Sequence, residues 1–165
     1  IGDTMIFESD VETAEELPDL EVIRATEIWQ QAGAYYVRIQ AMAKKHHIPL
    51  RAEFDAHDGP DTKYIVITDS GFPIATARMY PLDRRSVMIG RVVVLPEYRR
   101  QGIGSMVVHE AEAWAKELGY KTACIESRDN KVRFYEGMGY VSQEENVISG
   151  EVFDCIRMEK DLSAC

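Results

Sequence analysis

The chain has 165 residues, and 45% of them are hydrophobic, so we expect a single domain with an ordinary buried core. Its formal net charge of -9 argues against a nucleic-acid partner, because the phosphate backbone would be repelled overall. The 3 cysteines form no CxxC pair, which disfavours both a zinc knuckle and a disulfide framework. There is neither an apolar run of about 20 residues nor a basic-then-apolar leader, so we expect a cytoplasmic protein with no membrane partner.

The N-terminal part of the chain is predicted to contain one strand, one helix and a charged loop. Residues 1–19 are acidic and are expected to be a loosely packed lead-in, and residues 20–165 are expected to form the domain. The apolar members of residues 20–28 favour a strand, with a helix as the alternative. Apolar residues recur at helical spacing over 29–45 and predict an amphipathic helix. The charged segment 51–63 predicts a loop.

The middle of the chain is predicted to be a strand meander that leads into a helix. Residues 64–68 and 73–80 predict two strands, and the turn residues 69–71 between them predict a hairpin. Residues 87–95 are strongly apolar and predict a fourth strand. After a loop with two glycines, an apolar stripe predicts a helix that begins at Ile103 and is capped by Gly119.

The C-terminal part is predicted to supply the remaining elements of one sheet. Residues 122–125 are apolar and predict a fifth strand, and residues 130–138 predict a short helix. Val141 and residues 152–158 are assigned to closing strands. This order of strands and helices predicts an α+β fold with a mixed sheet.

The loop between the fourth strand and the next helix is suited to bind phosphate. Gly102 and Gly104 have no Cβ, so the backbone can turn tightly there and approach a ligand. The first N–H groups of the following helix have no partner inside it, and Arg99 and Arg100 add positive charge. A Walker loop is excluded because no lysine follows either glycine, and a dinucleotide fingerprint is excluded because Val107 replaces its third glycine.

Two patches of the sequence resemble the GNAT superfamily of N-acetyltransferases. The first is Arg99-x-x-Gly102-x-Gly104, which is similar to that family's CoA-binding loop. The second is residues 133–140, which resemble its phenylalanine-tyrosine helix followed by a glycine and an aromatic residue. The resemblance covers roughly residues 20–160 and is closest to small bacterial members. It implies a mostly antiparallel mixed sheet, flanked by helices and splayed between the fourth and fifth strands, with acetyl-CoA as co-substrate in the gap.

The resemblance also implies roles for individual residues. A backbone N–H of Val93 or Val94 would polarise the thioester carbonyl, and Tyr135 would donate a proton to the departing CoA thiolate. Asn130 lies five residues before Tyr135 rather than the family's seven, so a helix cap is its alternative role. The residues expected to contact the co-substrate are Val92, Val93, Val94, Arg99, Arg100, Gln101, Gly102, Ile103, Gly104, Ser105, Asn130 and Phe134.

The general base is not identified by the resemblance. The acid that many members carry on the fourth strand is absent, because Met88 and Gly90 occupy the corresponding positions. An ammonium group must lose its proton before it can attack, so a base or a water chain is required. The candidate bases are Glu53, Asp55, Asp58 and Glu126, each with a solvated surface charge as the alternative. The histidines lack metal-ligand spacing, so no metal is expected.

The leading hypothesis is an acetyl-CoA-dependent N-acetyltransferase. It would move the acetyl group directly to a primary amine of a small molecule or peptide in a ternary complex. A non-catalytic acyl-CoA-binding protein of the same fold is the first alternative, because the fourth-strand acid is missing and Asn130 is displaced. The second is an interaction module whose glycine loop is only a turn. The identity of the acceptor and the oligomeric state stay open, a homodimer included.

Overall fold

The computed structural model describes residues 17–148 and 154–164, so the predicted lead-in lies almost wholly outside the described residues. Seven strands form one sheet in the order β1-β2-β3-β4-β5-β7-β6. Neighbouring strands are antiparallel except β4 and β5, which are parallel, and this confirms the predicted mixed sheet. The strands are β1 (Leu20–Arg24), β2 (Lys63–Asp69), β3 (Phe72–Pro81), β4 (Ser86–Val94), β5 (Thr122–Arg128), β6 (Val141–Ile148) and β7 (Cys155–Asp161).

Four α-helices connect the strands in the described part of the chain. They are α1 (Ile28–Arg38), α2 (Leu50–Glu53), α3 (Ile103–Glu117) and α4 (Val132–Gly137). A π-helical turn, Ile39–Ala43, extends α1, and short 3-10 turns span Pro96–Tyr98, Asp129–Lys131 and Leu162–Ala164. No helix in the described ranges is long and apolar enough to cross a bilayer.

Several element boundaries differ from the predictions. The first strand ends at Arg24 instead of residue 28, because Glu27 and Gln30 form a capping box that starts α1. The start of the segment 51–63, predicted as a loop, belongs instead to α2, which begins directly after Pro49, a residue with an extended backbone. The fifth strand continues to Arg128, because its whole length pairs with β7.

The helices cover both faces of the sheet. The buried stripe of α3, including Val107, Val108 and Ala111, packs with the strands in one hydrophobic cluster. On the other face α1 packs on β2 and β3. Gly33 permits this close approach, because a Cβ there would lie only 3.1 Å from Cβ of Pro73. As predicted, Gly119 follows α3 in the left-handed conformation, with a φ of 97°.

The sheet opens between β4 and β5. The two strands pair only at Ser86–Thr122, Val87–Ala123 and Met88–Cys124. Beyond these pairs, residues 89–94 of β4 and 125–128 of β5 make no pair with each other. A bulge in β4 places residues 91 and 92 opposite Ala77 and increases the local twist, with Arg91 at a φ of 48°. The predicted splay between the fourth and fifth strands is therefore confirmed, and we call this gap the β4–β5 opening.

Candidate active site

One edge of the β4–β5 opening presents backbone groups of β4 that make no pair with β5. The N–H of Leu95 donates to the carbonyl of Ile74 at 2.9 Å, so it points toward β3. Because successive N–H groups of a strand point to opposite edges, the N–H of Val94 faces the opening and that of Val93 faces β3. The carbonyl of Val94 accepts a hydrogen bond from Nε of Arg99 at 3.1 Å, on the same side. Of the two predicted oxyanion donors, Val94 thus has the suitable direction.

The glycine loop, residues 99–104, lies at the wide end of this opening. Gly102 is the N-cap of α3 with a φ of 80°, a conformation that favours glycine. Arg100 is also left-handed, with a φ of 63°. Within the described ranges, the backbone N–H groups of residues 100–105 have no hydrogen-bond acceptor. These donors meet at the N-terminus of a long helix, which is the arrangement that binds phosphate groups.

The two patches identified in the sequence contact each other across the opening. A Cβ at Gly104 would lie 3.5 Å from Cζ of Phe134 and 3.9 Å from Cγ2 of Val94. The start of α3, the end of β4 and the ring carried by α4 therefore meet at one point. The Phe134 ring packs edge-on against Tyr135, with centroids 4.9 Å apart. Tyr135 is therefore fixed next to the glycine loop.

Tyr135 is buried, and no partner for its hydroxyl is present among the described residues. Burial raises the pKa of this phenol, so it stays protonated at neutral pH and can donate. Its ring also packs edge-on against Tyr140, with centroids 5.8 Å apart. The hydroxyl of Tyr140 donates to Glu112 at 2.6 Å, and Nζ of Lys160 donates to the same carboxylate at 2.9 Å. Sequence reasoning missed this support, although a glutamate beside the apolar stripe of α3 was a signal for it.

Two of the predicted bases share a fully buried arginine. Nε of Arg38 lies 3.0 Å from Glu53, and Nη1 of Arg38 lies 2.7 Å from Asp58. The hydroxyl of Tyr64 also donates to Asp58, at 2.7 Å. Sequence reasoning did not identify Arg38, yet it lies four residues after Ala34 on the buried face of α1. A charge within an apolar helix stripe is a signal for a buried ion pair.

Two further arginines complete this cluster. Nη1 of Arg78 lies 2.9 Å from both Asp55 and Asp58. Arg91, at the bulge of β4, lies 3.3 Å from both Glu53 and Asp55. We call the set the carboxylate–arginine network; its members are Arg38, Glu53, Asp55, Asp58, Arg78 and Arg91. It fastens α2 and the following loop to the sheet beside the opening.

The network changes the basicity of two carboxylates. Burial by itself would raise the pKa of Asp58, but hydrogen bonds from Arg38 and Tyr64 outweigh burial and lower that pKa. Burial is likewise outweighed at Asp55, where the hydrogen bond and charge of Arg78 lower the pKa. A carboxylate with a lowered pKa is a weaker base, so this arrangement favours a structural role for Asp55 and Asp58. The predicted role of Glu53 and Asp55 as bases stays a prediction.

We expect the free energy of unfolding to fall as the pH drops below about 4, near the ordinary pKa of an aspartate. The folded-state pKa of Asp58 is depressed, so its contribution is complete above the unfolded pKa and is lost as pH falls through the folded pKa. Urea unfolding between pH 2.5 and 7 measures this slope. Asp58→Asn should lower stability at pH 7 and flatten the slope, whereas exposed Asp61→Asn should do neither. An unchanged slope in Asp58→Asn would contradict the assignment.

The other predicted site residues have simpler surroundings. Glu126 is exposed on β5, beyond the last pair with β4. Asn130 is exposed in the 3-10 turn before α4. The N-cap of α4 is Lys131 without a side-chain bond, so the alternative role of Asn130 as a helix cap is not observed. Nε2 of Gln101 donates to the carbonyl of Glu97 at 3.4 Å.

These features define the class of protein. A mixed sheet that opens between two parallel strands, with a glycine loop at the wide end, is the acyl-CoA N-acyltransferase fold. A Pseudomonas aeruginosa acyl-CoA N-acyltransferase shares this fold with a TM-score of 0.74, at 20% identity over 87% of this chain and 99% of that chain.

Comparison with known proteins gives the family. A family model, acetyltransferase (GNAT) family, matches residues 18–140. The chain belongs to this GNAT family of acetyltransferases. A Bacillus subtilis (strain 168) protein assigned as an acetyltransferase is 25% identical over 133 residues, or 79% of this chain and 90% of the relative. The crystal structure of a Lactobacillus plantarum protein assigned as an N-acetyltransferase has a TM-score of 0.81 and 27% identity, over 87% of this chain and 98% of that chain.

Proposed function

We propose that this protein is an acetyl-CoA-dependent N-acetyltransferase that acts by direct transfer in a ternary complex. The observation that supports it is the meeting of three donor groups at one opening. These are the unpaired N–H groups of the glycine loop, the edge of β4 at Val94, and the unpartnered hydroxyl of Tyr135. Each group would face one negative charge of the proposed complex. The glycine loop would face the pyrophosphate of acetyl-CoA, Val94 the oxyanion, and Tyr135 the leaving thiolate.

The proposed reaction assigns one task to each group. The neutral amine nitrogen attacks the thioester carbonyl carbon, and the carbon–sulfur bond breaks as the amide forms. The N–H of Val94 stabilises the oxyanion, an effect worth about 3 to 4 kcal/mol for one preorganised donor. Tyr135 donates its proton to the departing sulfur, and the amine loses a proton to a base. The base releases that proton to solvent and Tyr135 takes one up from solvent, so the net change is one proton moved from nitrogen to sulfur. The proposed acceptor is a primary amine of a small molecule or peptide.

Two measurements test this proposal. Acetyl-CoA at 100 times its Kd should add about 2.7 kcal/mol to the free energy of unfolding, which a thermal-shift titration detects. Free CoA released with a panel of amines, namely spermidine, L-lysine, tyramine and an alanine-initiated peptide, then measures turnover. The absence of any shift at millimolar acetyl-CoA would overturn the whole proposal.

A non-catalytic acyl-CoA-binding protein is the second candidate. The observation that favours it is that Glu53, Asp55 and Asp58 are all engaged by arginines, which leaves none of them as an unpaired base. Binding of acetyl-CoA without release of CoA across the amine panel would support this candidate over the enzyme.

Tyr135→Phe should lower kcat by about 100-fold and leave the Kd for acetyl-CoA nearly unchanged, because only the proton donor is removed. CoA release and calorimetric titration measure the two quantities. Tyr120→Phe is the matched control, since Tyr120 lies at the opposite end of α3, and it should keep the normal rate. A normal kcat in Tyr135→Phe would remove this tyrosine from the chemistry.

A further inference from the structure

A pocket of about 490 Å³ lies between the end of α1 and the end of β4. One wall carries Gln40, Lys44 and Lys45, and the other carries Leu95 and Glu97. The π-helical turn that extends α1 also packs on β4. Because Leu95 directly follows Val94 in the chain, the pocket adjoins the wide end of the β4–β5 opening. We call this cavity the α1–β4 pocket.

Two consecutive lysines line this pocket because the helix is underwound beside it. In a regular α-helix, a residue nine positions after Tyr36 lies about 180° around the axis from it. Here the N–H of Lys44 donates to the carbonyl of Ile39 at 2.9 Å, five residues back, which is the hydrogen bond of a π turn. This turn and the one that follows it bring Tyr36, Lys44 and Lys45 to the same cavity. Single π turns within helices are frequent at functional sites.

The pocket offers charges of both signs that are free to bind a ligand. Lys44, Lys45 and Glu97 are exposed, and none of them has an ion pair in the part of the chain that the structure describes. The lysines therefore stay available to a carboxylate, and Glu97 stays available to an ammonium group. A small ligand that carries both charges would satisfy the two walls at once. The head group of a free amino acid is such a ligand.

The position of the pocket favours the acceptor over the co-substrate as its ligand. The glycine loop starts α3, which covers one face of the sheet, whereas α1 packs on the other face. The proposed pyrophosphate site and the α1–β4 pocket thus belong to opposite faces. Acetyl-CoA bound at the glycine loop would leave the pocket open to the second substrate, which a ternary complex requires.

The distances suit an acceptor that has a second amine at the end of a short chain. Glu97 lies three residues after Val94, and three residues of fully extended chain span at most about 11 Å. The five single bonds from Cα to the terminal nitrogen of L-lysine span about 6 Å, and the Glu97 side chain supplies further reach. A head group in the pocket can therefore place a distal amine next to Val94.

We infer that the α1–β4 pocket binds the zwitterionic head group of a diamino acid, whose distal amine accepts the acetyl group. This inference rests on the proposed acetyl transfer. Lys44 and Lys45 bind the carboxylate, and Glu97 binds the α-ammonium group. The distal nitrogen forms its bond to the acetyl carbon as the carbon–sulfur bond breaks, with the proton balance of the proposed reaction.

The first test removes one charge of the substrate at a time. Cadaverine is L-lysine without its carboxylate, and 6-aminohexanoate is L-lysine without its α-amine. The kcat/KM for L-lysine or for the shorter L-ornithine should exceed that of both truncated amines by about 10- to 100-fold, the usual effect of a hydrogen bond to a charged group. Mass spectrometry of the product should place the acetyl group on the distal nitrogen.

The second test removes the matching charge of the protein. Lys44→Gln and Lys45→Gln should lower the preference for L-lysine over cadaverine by about 10-fold, and Glu97→Gln should lower the preference for L-lysine over 6-aminohexanoate by a similar factor. A ratio of two substrates on one variant does not depend on the fraction of folded protein. Lys121→Gln removes an exposed lysine at the opposite end of α3 and should keep both ratios.

Three outcomes would overturn this inference. A wild type that acetylates amines without preferring either diamino acid would do so, and the proposed function would stand. The same holds if the lysine variants keep the L-lysine preference but lose discrimination between acetyl-CoA and its 3′-dephospho form, because the lysines would then bind the co-substrate. A wild type that binds acetyl-CoA and acetylates no amine would overturn the proposed function as well.

Discussion

We expect Gly104→Glu to raise the Kd for acetyl-CoA by about 1,000-fold. The new side chain would begin between Phe134 and Val94 and add a negative charge beside the unpaired N–H groups of the glycine loop. Two like unit charges 4 Å apart repel by about 4 kcal/mol at an effective dielectric constant of about 20. That free energy corresponds to nearly a thousandfold change in Kd. Calorimetric titration with acetyl-CoA measures it.

The matched control places the same charge elsewhere on α3. Ala113 is exposed on that helix, so Ala113→Glu adds one negative charge away from the loop and should leave the Kd unchanged. Circular dichroism of both variants checks that they are folded. Micromolar affinity in folded Gly104→Glu would show that the phosphates bind somewhere else.

We expect Arg38→Met to lower the free energy of unfolding by about 3 to 5 kcal/mol. Methionine replaces the apolar stem of Arg38 but leaves Glu53 and Asp58 without their buried cation. The remaining bonds, from Arg91 to Glu53 and from Arg78 to Asp58, favour the lower part of this range. Urea unfolding at pH 7 measures the loss.

A second substitution tests whether the loss comes from uncompensated charge. Adding Asp58→Asn to Arg38→Met removes one unpaired carboxylate, so the double variant should lose less than the sum of the single losses. Arg51→Met, at an exposed position of α2, is the control and should change stability little. Additive losses would mean that Arg38 acts only through its packing, including its contact with Phe54.

Much of the site was predictable because its parts are local in sequence. The glycine loop depends on residue types that the backbone conformation requires, since Gly102 is left-handed at the start of α3. The strand before it is a continuous apolar run, and the helix after it has an apolar stripe. Such features depend on neighbours only a few residues away, so spacing was enough to predict them. The boundary of the first strand was less predictable, because capping by Glu27 and Gln30 competes with apolar content.

The carboxylate–arginine network could not be predicted in the same way. Arg38, Asp58 and Arg78 are far apart in the sequence, and each reads as an ordinary surface charge. Folding α1 and the α2–β2 loop onto β3 brings them into one buried set, where low dielectric strengthens every pair. The three predicted bases therefore became arginine partners, a result that depends on desolvation and distance rather than on residue type.

By itself, the sequence determined the class of fold and the position of the glycine loop, because glycine positions and apolar periodicity act locally. Only the tertiary structure decided which groups are free to react. It turned the N–H of Val94 toward the opening, left the hydroxyl of Tyr135 without a partner among the described residues, and paired Glu53, Asp55 and Asp58 with arginines. Hydrogen-bond direction, burial and ion pairing are set by residues distant in sequence, so these properties arise only when the sheet, the helices and the loops pack together.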